Sequence, residues 1–377
     1  MKIMRSLYSF VVLVLCTTSV LTGPSRYVHR QGSMEAERDA SIRLFLDGSD
    51  FSGSVLVVRD GVIVFCKSYR MANYELDIPN TSKTKFRIGS ITKQFTAMAI
   101  MQLQEKGLLR VTDRVSKYIP DYPHGDIITI HQLLTHTSGI PTINAFSEYR
   151  AKDQQLPTFE QVIKLFKNKP LDFKPGKKYR YSNSGYVLLS YIIEKASGET
   201  YETVLQKQIF APLRMHNSGY DQAQCIIKNR ASGYCKGVGD VLMNAPYADM
   251  SFSAGAGGIY STVEDLYAWD QALYSNKLLS KKSQAILFKP HVANPDFPHG
   301  GGWHPSGYGY GWFIGKLCNR TVWAHRGLIT GFSAAFLRYP DDNVCIIVLS
   351  NFFSGSPWKI AMRLSTLVFG GVPALSK

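Results

Sequence analysis

The two ends of the chain carry strand-forming sequence, and this constrains the fold more than any other feature. Between residues 53 and 67, β-branched residues flank Asp60-Gly61, a pattern typical of a hairpin closed by a type I′ turn. A second hairpin is predicted near the other end, where the apolar runs 335–339 and 344–349 flank Pro-Asp-Asp-Asn. Strand-forming sequence is therefore predicted near both ends of the chain.

Helical periodicity fills most of the sequence between these hairpins. A capping box of Thr158 and Gln161 opens one helix, a second box of Ser261 and Glu264 opens another, and Gly198 ends a third. The predicted helices are 91–108, 158–167, 186–196, 261–273 and 357–369. The segment 290–307, rich in Pro, Gly and His, is predicted to be a long loop, either a connector or a lid over a cleft.

Strands at both ends with helices between them favour an α/β fold of the α+β type, an antiparallel sheet flanked by helices. We expect residues 35–89 and 250–372 to form one discontinuous sheet domain, and 90–249 to form an inserted, mainly helical domain. The chain has 377 residues, of which 45% are apolar and only 19% charged, so it can bury a core of this size.

A serine and a lysine three residues apart stand where the first long helix begins. Ser90 and Lys93 share one face of that helix, which brings an amine within reach of a hydroxyl. The apolar residues that follow would desolvate the lysine, lower its pKa and allow it to take the serine proton. This predicts a nucleophile with its own base.

The spacing alone does not select Ser90, because Ser82 with Lys85 and Ser356 with Lys359 match it too. Ser82 lies in a polar stretch with no helix after it. Ser356 precedes a proline, which is typical of an N-cap residue followed by proline in the first turn. Only Ser90 opens a long apolar helix, although an ordinary N-cap serine with a surface lysine remains the alternative there.

The first residues have the pattern of a secretory signal peptide. Lys2 and Arg5 precede an apolar run at 7–15, and small polar residues follow at 17–23. Residues 1–23 are therefore expected to be a signal peptide, and the protein to be secreted or periplasmic. An uncleaved membrane anchor is the alternative.

The net charge of +15 predicts attraction to anionic surfaces such as lipid headgroups or cell-wall polymers. The basic residues are scattered, and their densest runs, 164–169 and 174–180, lack the interleaved aromatic residues of a single-strand nucleic-acid platform. The expected partners are thus a small-molecule or peptide substrate and an anionic cell-envelope surface, with no nucleic acid. The oligomeric state stays open.

The cysteines give no readable disulfide framework, because five remain beyond the signal segment. Cys225 and Cys235 either close a short disulfide loop or remain free thiols. The sequence has no Cys-x-x-Cys and no His-Glu-x-x-His spacing, so we predict neither a metal nor another cofactor.

Two further short segments carry polar groups suited to catalysis. Tyr181 and Asn183 are two residues apart, and in extended backbone they point to one face. A tyrosine beside a cation such as Lys93 is expected to ionise near neutral pH and act as a general base, while Asn183 orients a substrate carbonyl. The other segment runs from His325 to Gly331; taken alone it indicates only an edge strand punctuated by glycines.

Together, the three segments resemble the serine β-lactamase and penicillin-binding protein superfamily, in particular its class C β-lactamase and DD-peptidase branch with related esterases and D-aminopeptidases. The resemblance rests on Ser90 to Lys93, Tyr181 to Asn183, and His325 to Gly327, in that order and at wide separation. The supporting stretches are 130–139, 173–176, 253–265 and 349–351, so the resemblance covers roughly residues 40 to 370.

The resemblance implies a β-lactamase/transpeptidase-like fold and assigns roles within it. Ser90 would be acylated, Lys93 would be its proton partner, and Tyr181 would be the base that also activates water. Asn183 would hold the substrate amide, and His325 would stand where many relatives have lysine.

The backbone N–H groups of Ser90 and Leu328 would then form the oxyanion hole, with Gly327 between Leu328 and the substrate-binding residue Arg326. Two residues depart from the β-lactamase pattern. Arg326 replaces a small threonine that often helps to bind the substrate carboxylate, and Ile143 stands where class C enzymes have a glutamine.

The expected activity is that of a serine hydrolase acting through an acyl-enzyme on D-amino-acid peptides or β-lactam-like amides. A carboxylesterase using the same residues is the alternative, because an ester needs less help to its leaving group. A catalytically weak protein that binds penicillin or wall peptides is an alternative of another class.

Overall fold

The computed structural model describes residues 40–146, 157–297 and 303–370. Its main feature is an eight-stranded antiparallel sheet. The strands, from one edge to the other, are Val292–Ala293, Gly307–Tyr308, Phe313–Leu317, Arg320–Ile329, Phe332–Tyr339, Val344–Ser350, Gly53–Arg59 and Val62–Tyr69. Strands from the first and last parts of the described chain therefore pair side by side in one sheet, and the predicted fold class is confirmed.

Both predicted hairpins are present. Asp60 and Gly61 have φ values of 51° and 73°, and positive φ at both central residues is the requirement of a type I′ turn. The second hairpin joins Phe332–Tyr339 to Val344–Ser350, and Gly53–Arg59 pairs with the latter strand along its length.

Side chains of the central strands alternate between two cores. Val55 and Val57 belong to the core on one face of the sheet, whereas Leu56 and Val58 belong to the core on the other. This is the period-2 pattern of a strand that is buried on both faces. Helical residues 40–47 and the helix Pro357–Val368 contribute to the smaller core, and the long helix Thr92–Glu105 lies in the larger one.

The remaining elements surround this framework. The other helices are Ile130–Leu134, Phe159–Lys167, Asn183–Ser197, Tyr201–Leu205, Gln206–Phe210 (a π-helix), Ala211–Leu213, Ala254–Gly257, Val263–Ala272 and Lys281–Phe288, with 3-10 turns at Gly89–Ile91, Val115–Lys117, Ile143–Ala145, Val238–Asp240 and Met250–Phe252. Small antiparallel sheets join Met71–Asn73 to Ile78–Pro79, Tyr234–Lys236 to Leu242–Asn244, and Ile259–Ser261 to both Phe86–Arg87 and Gly219–Tyr220. The division into domains at 89/90 and 249/250 stays a prediction.

Local helix signals were accurate to within a few residues. Thr158 and Gln161 form the predicted capping box, and Gly198 ends its helix with a φ of 74°. The box predicted at Ser261 is wrong by one position, because Thr262 accepts the hydrogen bond from the Asp265 backbone N–H. Ser356 precedes its helix as predicted, but it has a φ of 49° and makes no capping hydrogen bond.

The segment 290–307 is not the plain loop that its composition predicts. Val292–Ala293 and Gly307–Tyr308 pair as the outer strands of the main sheet. Trp303 is buried against Trp358, with ring centroids 5.4 Å apart. Apolar side chains therefore fix both ends of a segment whose glycine and proline content alone favours a loop; residues 298–302 lie outside the described part.

Cys225 and Cys235 are both free thiols, as are the other three cysteines of the described residues. The predicted signal peptide lies outside the described residues. No described helix is long and apolar enough to cross a membrane.

Candidate active site

Ser90 lies in the 3-10 turn Gly89–Ile91, directly before the buried helix Thr92–Glu105. Two glycines allow the strand Arg320–Ile329 to approach this turn. Gly89 has a φ of 51°, and a Cβ added there would lie 2.8 Å from the Leu328 nitrogen. A Cβ at Gly327 would lie 1.9 Å from the Ile88 carbonyl oxygen. Only glycine fits both positions, so the Leu328 backbone lies against the Ser90 turn.

Lys93 is completely buried beneath Ser90. Its Nζ lies 3.0 Å from Ser90 Oγ and donates to Asn183 Oδ1 at 2.8 Å and to the Ala256 carbonyl oxygen at 2.7 Å. Burial lowers the pKa of Lys93 well below its ordinary value of 10.5, and no carboxylate of the described residues offsets this effect. A lowered pKa favours the uncharged amine, the form that can accept a proton from the serine.

The other two Ser-x-x-Lys matches lack this arrangement. Lys85 turns toward the ring of Tyr260, with Nζ 5.6 Å from the centroid, and Ser82 bonds to Glu264. Ser356 and Lys359 are both exposed at the start of the last helix. Context therefore selects Ser90 among the three candidate serines.

Tyr181 lies next to the Ser90–Lys93 pair. Lys93 Nζ is 4.8 Å from the centroid of the Tyr181 ring, and the phenol is hydrogen-bonded with Ser90. Burial raises the pKa of Tyr181 above its ordinary value of 10, although the Ser90 hydrogen bond and the charge of Arg326 oppose the rise. The expected ionised tyrosine is thus wrong for the free protein: desolvation outweighs the neighbouring cation, and the phenol keeps its proton.

Asn183 begins the helix Asn183–Ser197, three residues earlier than the sequence predicts. Its Oδ1 accepts from Lys93, and one N–H of its Nδ2 donates to Asn144 Oδ1 at 2.5 Å, so the second N–H is left for a substrate. Asn144 Oδ1 also accepts from the Thr142 hydroxyl at 3.2 Å. These two bonds fix the Asn144 oxygen, which leaves its NH₂ group as a donor toward the cleft.

Asn144 is a site residue that the sequence argument missed. The sequence pattern places Ile143 where class C enzymes have a glutamine, but Ile143 is 1% exposed and belongs to the core. Asn144, one position later, is the exposed amide that lines the same cleft as Ser90. The sequence feature that could have identified Asn144 is its amide side chain directly after Ile143.

His325 and Arg326 lie in the interior strand Arg320–Ile329, which is paired on both sides, so the alternative of an edge strand is wrong. His325 is 1% exposed, and its Nδ1 donates to the Arg326 carbonyl oxygen at 2.7 Å. Burial is the main cause that lowers the pKa of His325 to about 3, and this hydrogen bond opposes it. His325 therefore does not supply the positive charge of the lysine it replaces.

Arg326 supplies a cation at the edge of the same site. Its guanidinium carbon is 5.7 Å from the centroid of the Phe297 ring, and its charge acts on Tyr181. Its side chain is half-buried.

The cleft in front of Ser90 is narrow and mixed in character. Asn144, Asn183 and Ser253 contribute polar groups, and apolar side chains cover the remainder. The apolar lining consists of Ile143, Phe252, Ala256, Leu328 and Ile329. The cleft thus contains the Ser90 hydroxyl and two amides, and the Lys93 amine and the Tyr181 phenol lie behind the serine. This combination is suited to acyl transfer.

Comparisons with known proteins show the family of this chain. The model of the Beta-lactamase family matches residues 41–364, so the chain belongs to the Beta-lactamase family. The putative penicillin-binding protein PbpX of Bacillus subtilis is 33% identical over 315 residues, covering 84% of this chain and 74% of that protein. A teichoic acid D-alanine hydrolase of Staphylococcus aureus is 29% identical over 308 residues, covering 81% and 72%.

The crystal structure of a penicillin-binding protein from Bacillus halodurans has the same fold. It matches with a TM-score of 0.75 and 28% identity, covering 87% of this chain and 98% of that chain. The resemblance drawn from the three motifs is confirmed, and so is the β-lactamase/transpeptidase-like fold. The chain is a member of the serine hydrolase superfamily.

Proposed function

We propose that this protein is a secreted serine hydrolase that acts through an acyl-enzyme on D-amino-acid peptides or β-lactam-like amides. The observation that carries the proposal is the buried, uncharged Lys93 amine 3.0 Å from the Ser90 hydroxyl. The printed names of relatives, a penicillin-binding protein and a teichoic acid D-alanine hydrolase, support a substrate of this class.

Acylation begins with transfer of the Ser90 proton to Lys93. Two N–H groups of the amine are directed to Asn183 Oδ1 and the Ala256 oxygen, neither of which can donate in return. The lone pair of Nζ is therefore left for the serine hydroxyl. The new Oγ–C bond forms as Lys93 becomes an ammonium ion, and the Lys93 contacts support this direction of transfer.

Tyr181 delivers the proton that the leaving group needs. A phenol that is still protonated acts as a general acid toward the departing nitrogen, and the Lys93 ammonium then returns a proton to the phenolate. In deacylation, water attacks the acyl carbon, its proton passes through Tyr181 to Lys93, and Lys93 reprotonates Ser90 as the Oγ–C bond breaks. After acylation and again after deacylation, Lys93 is a neutral amine and Tyr181 a neutral phenol, so the protons balance.

The backbone N–H groups of Ser90 and Leu328 stabilise the oxyanion, and the amides of Asn183 and Asn144 bind the substrate. Support for the first assignment is the close approach of strand and turn at Gly89 and Gly327. Loss of one oxyanion donor typically costs on the order of 10²–10³ in rate. Arg326, rather than neutral His325, interacts with an anionic group of the substrate.

A carboxylesterase is the second candidate, and the raised pKa of Tyr181 favours it. A phenol that holds its proton tightly is a weak acid toward an amine leaving group. An ester demands less of this assistance than an amide does.

Intact-protein mass spectrometry tests the proposal against both alternatives. The parent protein and Ser90→Ala are incubated with fluorescent penicillin, a D-Ala-D-Ala peptide and a short-chain nitrophenyl ester, and adducts are followed over time. We expect adducts that form and decay in the parent and none in Ser90→Ala, with Ser82→Ala and Ser356→Ala behaving as the parent. Turnover of esters alone would establish the esterase, and an adduct that never decays would establish a weak binding protein.

Arg326→Thr tests the recognition of an anionic group. The guanidinium and a substrate carboxylate can form a planar, charge-assisted pair. For a D-Ala-D-Ala peptide, we therefore expect kcat/KM to be lower in the variant, by an amount that corresponds to about 1–3 kcal/mol of activation free energy. The C-terminal amide of the same peptide is the control and should be unaffected. Equal rates for acid and amide in the parent would exclude carboxylate recognition by Arg326.

A further inference from the structure

His136 contacts the Tyr181 segment at three consecutive residues, and the sequence argument gave it no role. Its carbonyl oxygen accepts from the Arg180 N–H at 3.0 Å, and its Nδ1 accepts from the Ser182 N–H at 3.2 Å. Between these bonds, its imidazole packs against the Tyr181 ring, with centroids 4.3 Å apart and an interplanar angle of 35°. One residue thus holds the backbone on both sides of the tyrosine and the ring itself.

The hydrogen bonds also fix the tautomer of this imidazole. A backbone N–H can only donate, so Nδ1 carries no proton and Nε2 must carry it in the neutral ring. Nε2 then donates to the Tyr308 hydroxyl, 3.1 Å away, on a strand of the main sheet. His136 therefore connects the tyrosine segment to the sheet.

The surroundings keep His136 neutral. It is 1% exposed, and burial lowers its pKa well below 6.5, with the Ser182 hydrogen bond opposing. A neutral imidazole can pack 4.3 Å from the Tyr181 ring without adding a charge to this buried site. Its backbone is specialised as well, since His136 has a φ of 58°, a region that few residues other than Gly and Asn adopt.

We propose that His136 is a positioning residue that holds Tyr181 in line with Ser90 and Lys93. It touches no reacting atom, and its effect on the reaction passes through the tyrosine. The inference rests on the proposed role of Tyr181 in proton transfer. Misplacement of a catalytic group by about 1 Å costs on the order of 10²-fold in rate, so the effect is measurable.

Three variants of His136 separate its two contributions. His136→Phe keeps an aromatic ring against Tyr181 but removes the acceptor for the Ser182 N–H. His136→Asn keeps an acceptor near the position of Nδ1, tolerates the positive φ and removes the ring. His136→Ala removes both. The matched control is His131→Phe, a half-buried histidine five residues earlier that bonds to Tyr310 and not to Tyr181.

The experiment measures kcat, KM and adduct lifetime in each variant, alone and combined with Tyr181→Phe, at a temperature where circular dichroism shows all of them folded. We expect His136→Phe to lower kcat about 10- to 100-fold with little change in KM, and to lengthen the adduct lifetime. His136→Asn should retain more activity than His136→Ala, and His131→Phe should match the parent. In the Tyr181→Phe background, adding His136→Phe should change kcat less than about twofold, because the group it positions is already gone.

Two results would overturn the inference. One is an unchanged kcat in folded His136→Phe and His136→Ala. The other is the same fold-loss with and without Tyr181→Phe, which would mean that His136 acts on general stability. Failure of the proposed function is seen separately: there, Tyr181→Phe alone would leave rate and adduct lifetime unchanged, and His136 would have no catalytic group to position.

Discussion

Among the residues that the structure describes, two Lys or Arg side chains are buried, Lys93 and Arg338, and their surroundings are opposite in character. Arg338, on the strand Phe332–Tyr339, donates to Asp270 at 2.9 Å, and both side chains are 1% exposed. Lys93, beneath the candidate nucleophile, has hydrogen-bond partners that are all uncharged, the oxygens of Ser90, Asn183 and Ala256.

The difference follows from what each side chain can release. A guanidinium holds its proton at any accessible pH, so burying it requires a carboxylate. A lysine amine can lose its proton and become neutral, and burial without a carboxylate forces it to do so. Arg338 therefore stays charged beside Asp270, whereas Lys93 in the candidate active site loses its proton and gains a lone pair.

The largest effect is expected from removing the lone pair of Lys93 Nζ. Lys93→Met should lower the acylation rate on the order of 10⁴-fold or more, because the base is as necessary as the nucleophile. Lys93→Arg should be equally inactive, since arginine cannot accept the serine proton. Adduct formation by intact mass spectrometry is the measurement, and the double variant Arg338→Met/Asp270→Leu, once shown to be folded, is the control that should still acylate. Acylation by Lys93→Arg would contradict the comparison.

Tyr181→Phe is the next largest effect. The variant keeps the ring between His136 and Phe313 but removes the proton that we assign to the leaving group and to water activation. Acylation and deacylation should both slow by about 10²–10⁴-fold, with deacylation affected at least as strongly, so that the adduct accumulates. Single-turnover kinetics with a nitrophenyl ester measure both steps. Normal deacylation would place the base elsewhere.

Arg338→Met should destabilise the fold by about 3–5 kcal/mol, because it leaves Asp270 buried without its partner. Adding Asp270→Leu should restore most of the lost stability, since the unpaired Asp270 carboxylate is then removed. Urea denaturation gives the free energy of unfolding of each variant. A double variant as unstable as the single one would mean that packing of Arg338 against Tyr274 and Trp323, rather than its charge, stabilises this region.

The smallest effect concerns pH. Lys93 is neutral in the folded protein but protonated in the unfolded chain at any pH below about 10.5, so unfolding takes up a proton. The contribution of Lys93 to stability is complete above that pH and is lost as the pH falls toward its lowered folded pKa. Relative to Lys93→Met, the parent should lose up to about 1.4 kcal/mol for each unit of pH decrease within this window. Parallel curves for both proteins between pH 7 and 10 would show that the buried amine is charged.

Much of this site follows from local sequence. The spacing of Ser90 and Lys93 puts both on one helical face, and an apolar helix predicts the desolvation that neutralises the amine. The two hairpins were predictable because a type I′ turn has a specific residue requirement and the flanking strands are β-branched. These features depend on neighbours within a few residues.

The remaining features depend on contacts between distant segments. Tyr181 was expected to ionise beside a cation, but the sequence does not reveal how completely the rings of His136 and Phe313 exclude water. Asn144 is exposed at the cleft, while Ile143 is buried at its base, because a 3-10 turn directs adjacent side chains differently. The neutral state of His325 likewise follows from burial in an interior strand, where its sequence indicated only an edge.

The contact between Gly327 and the Ile88 carbonyl oxygen also determines where the enzyme can acquire new substrates by mutation. Any side chain at Gly89 or Gly327 separates the serine turn from its strand, so laboratory evolution has no freedom at these positions. Ile143, Phe252 and Ile329 line the same opening without taking part in that contact. Changes in the size of the accepted acyl group should therefore arise at these three positions, while the reaction geometry behind them is inherited unchanged.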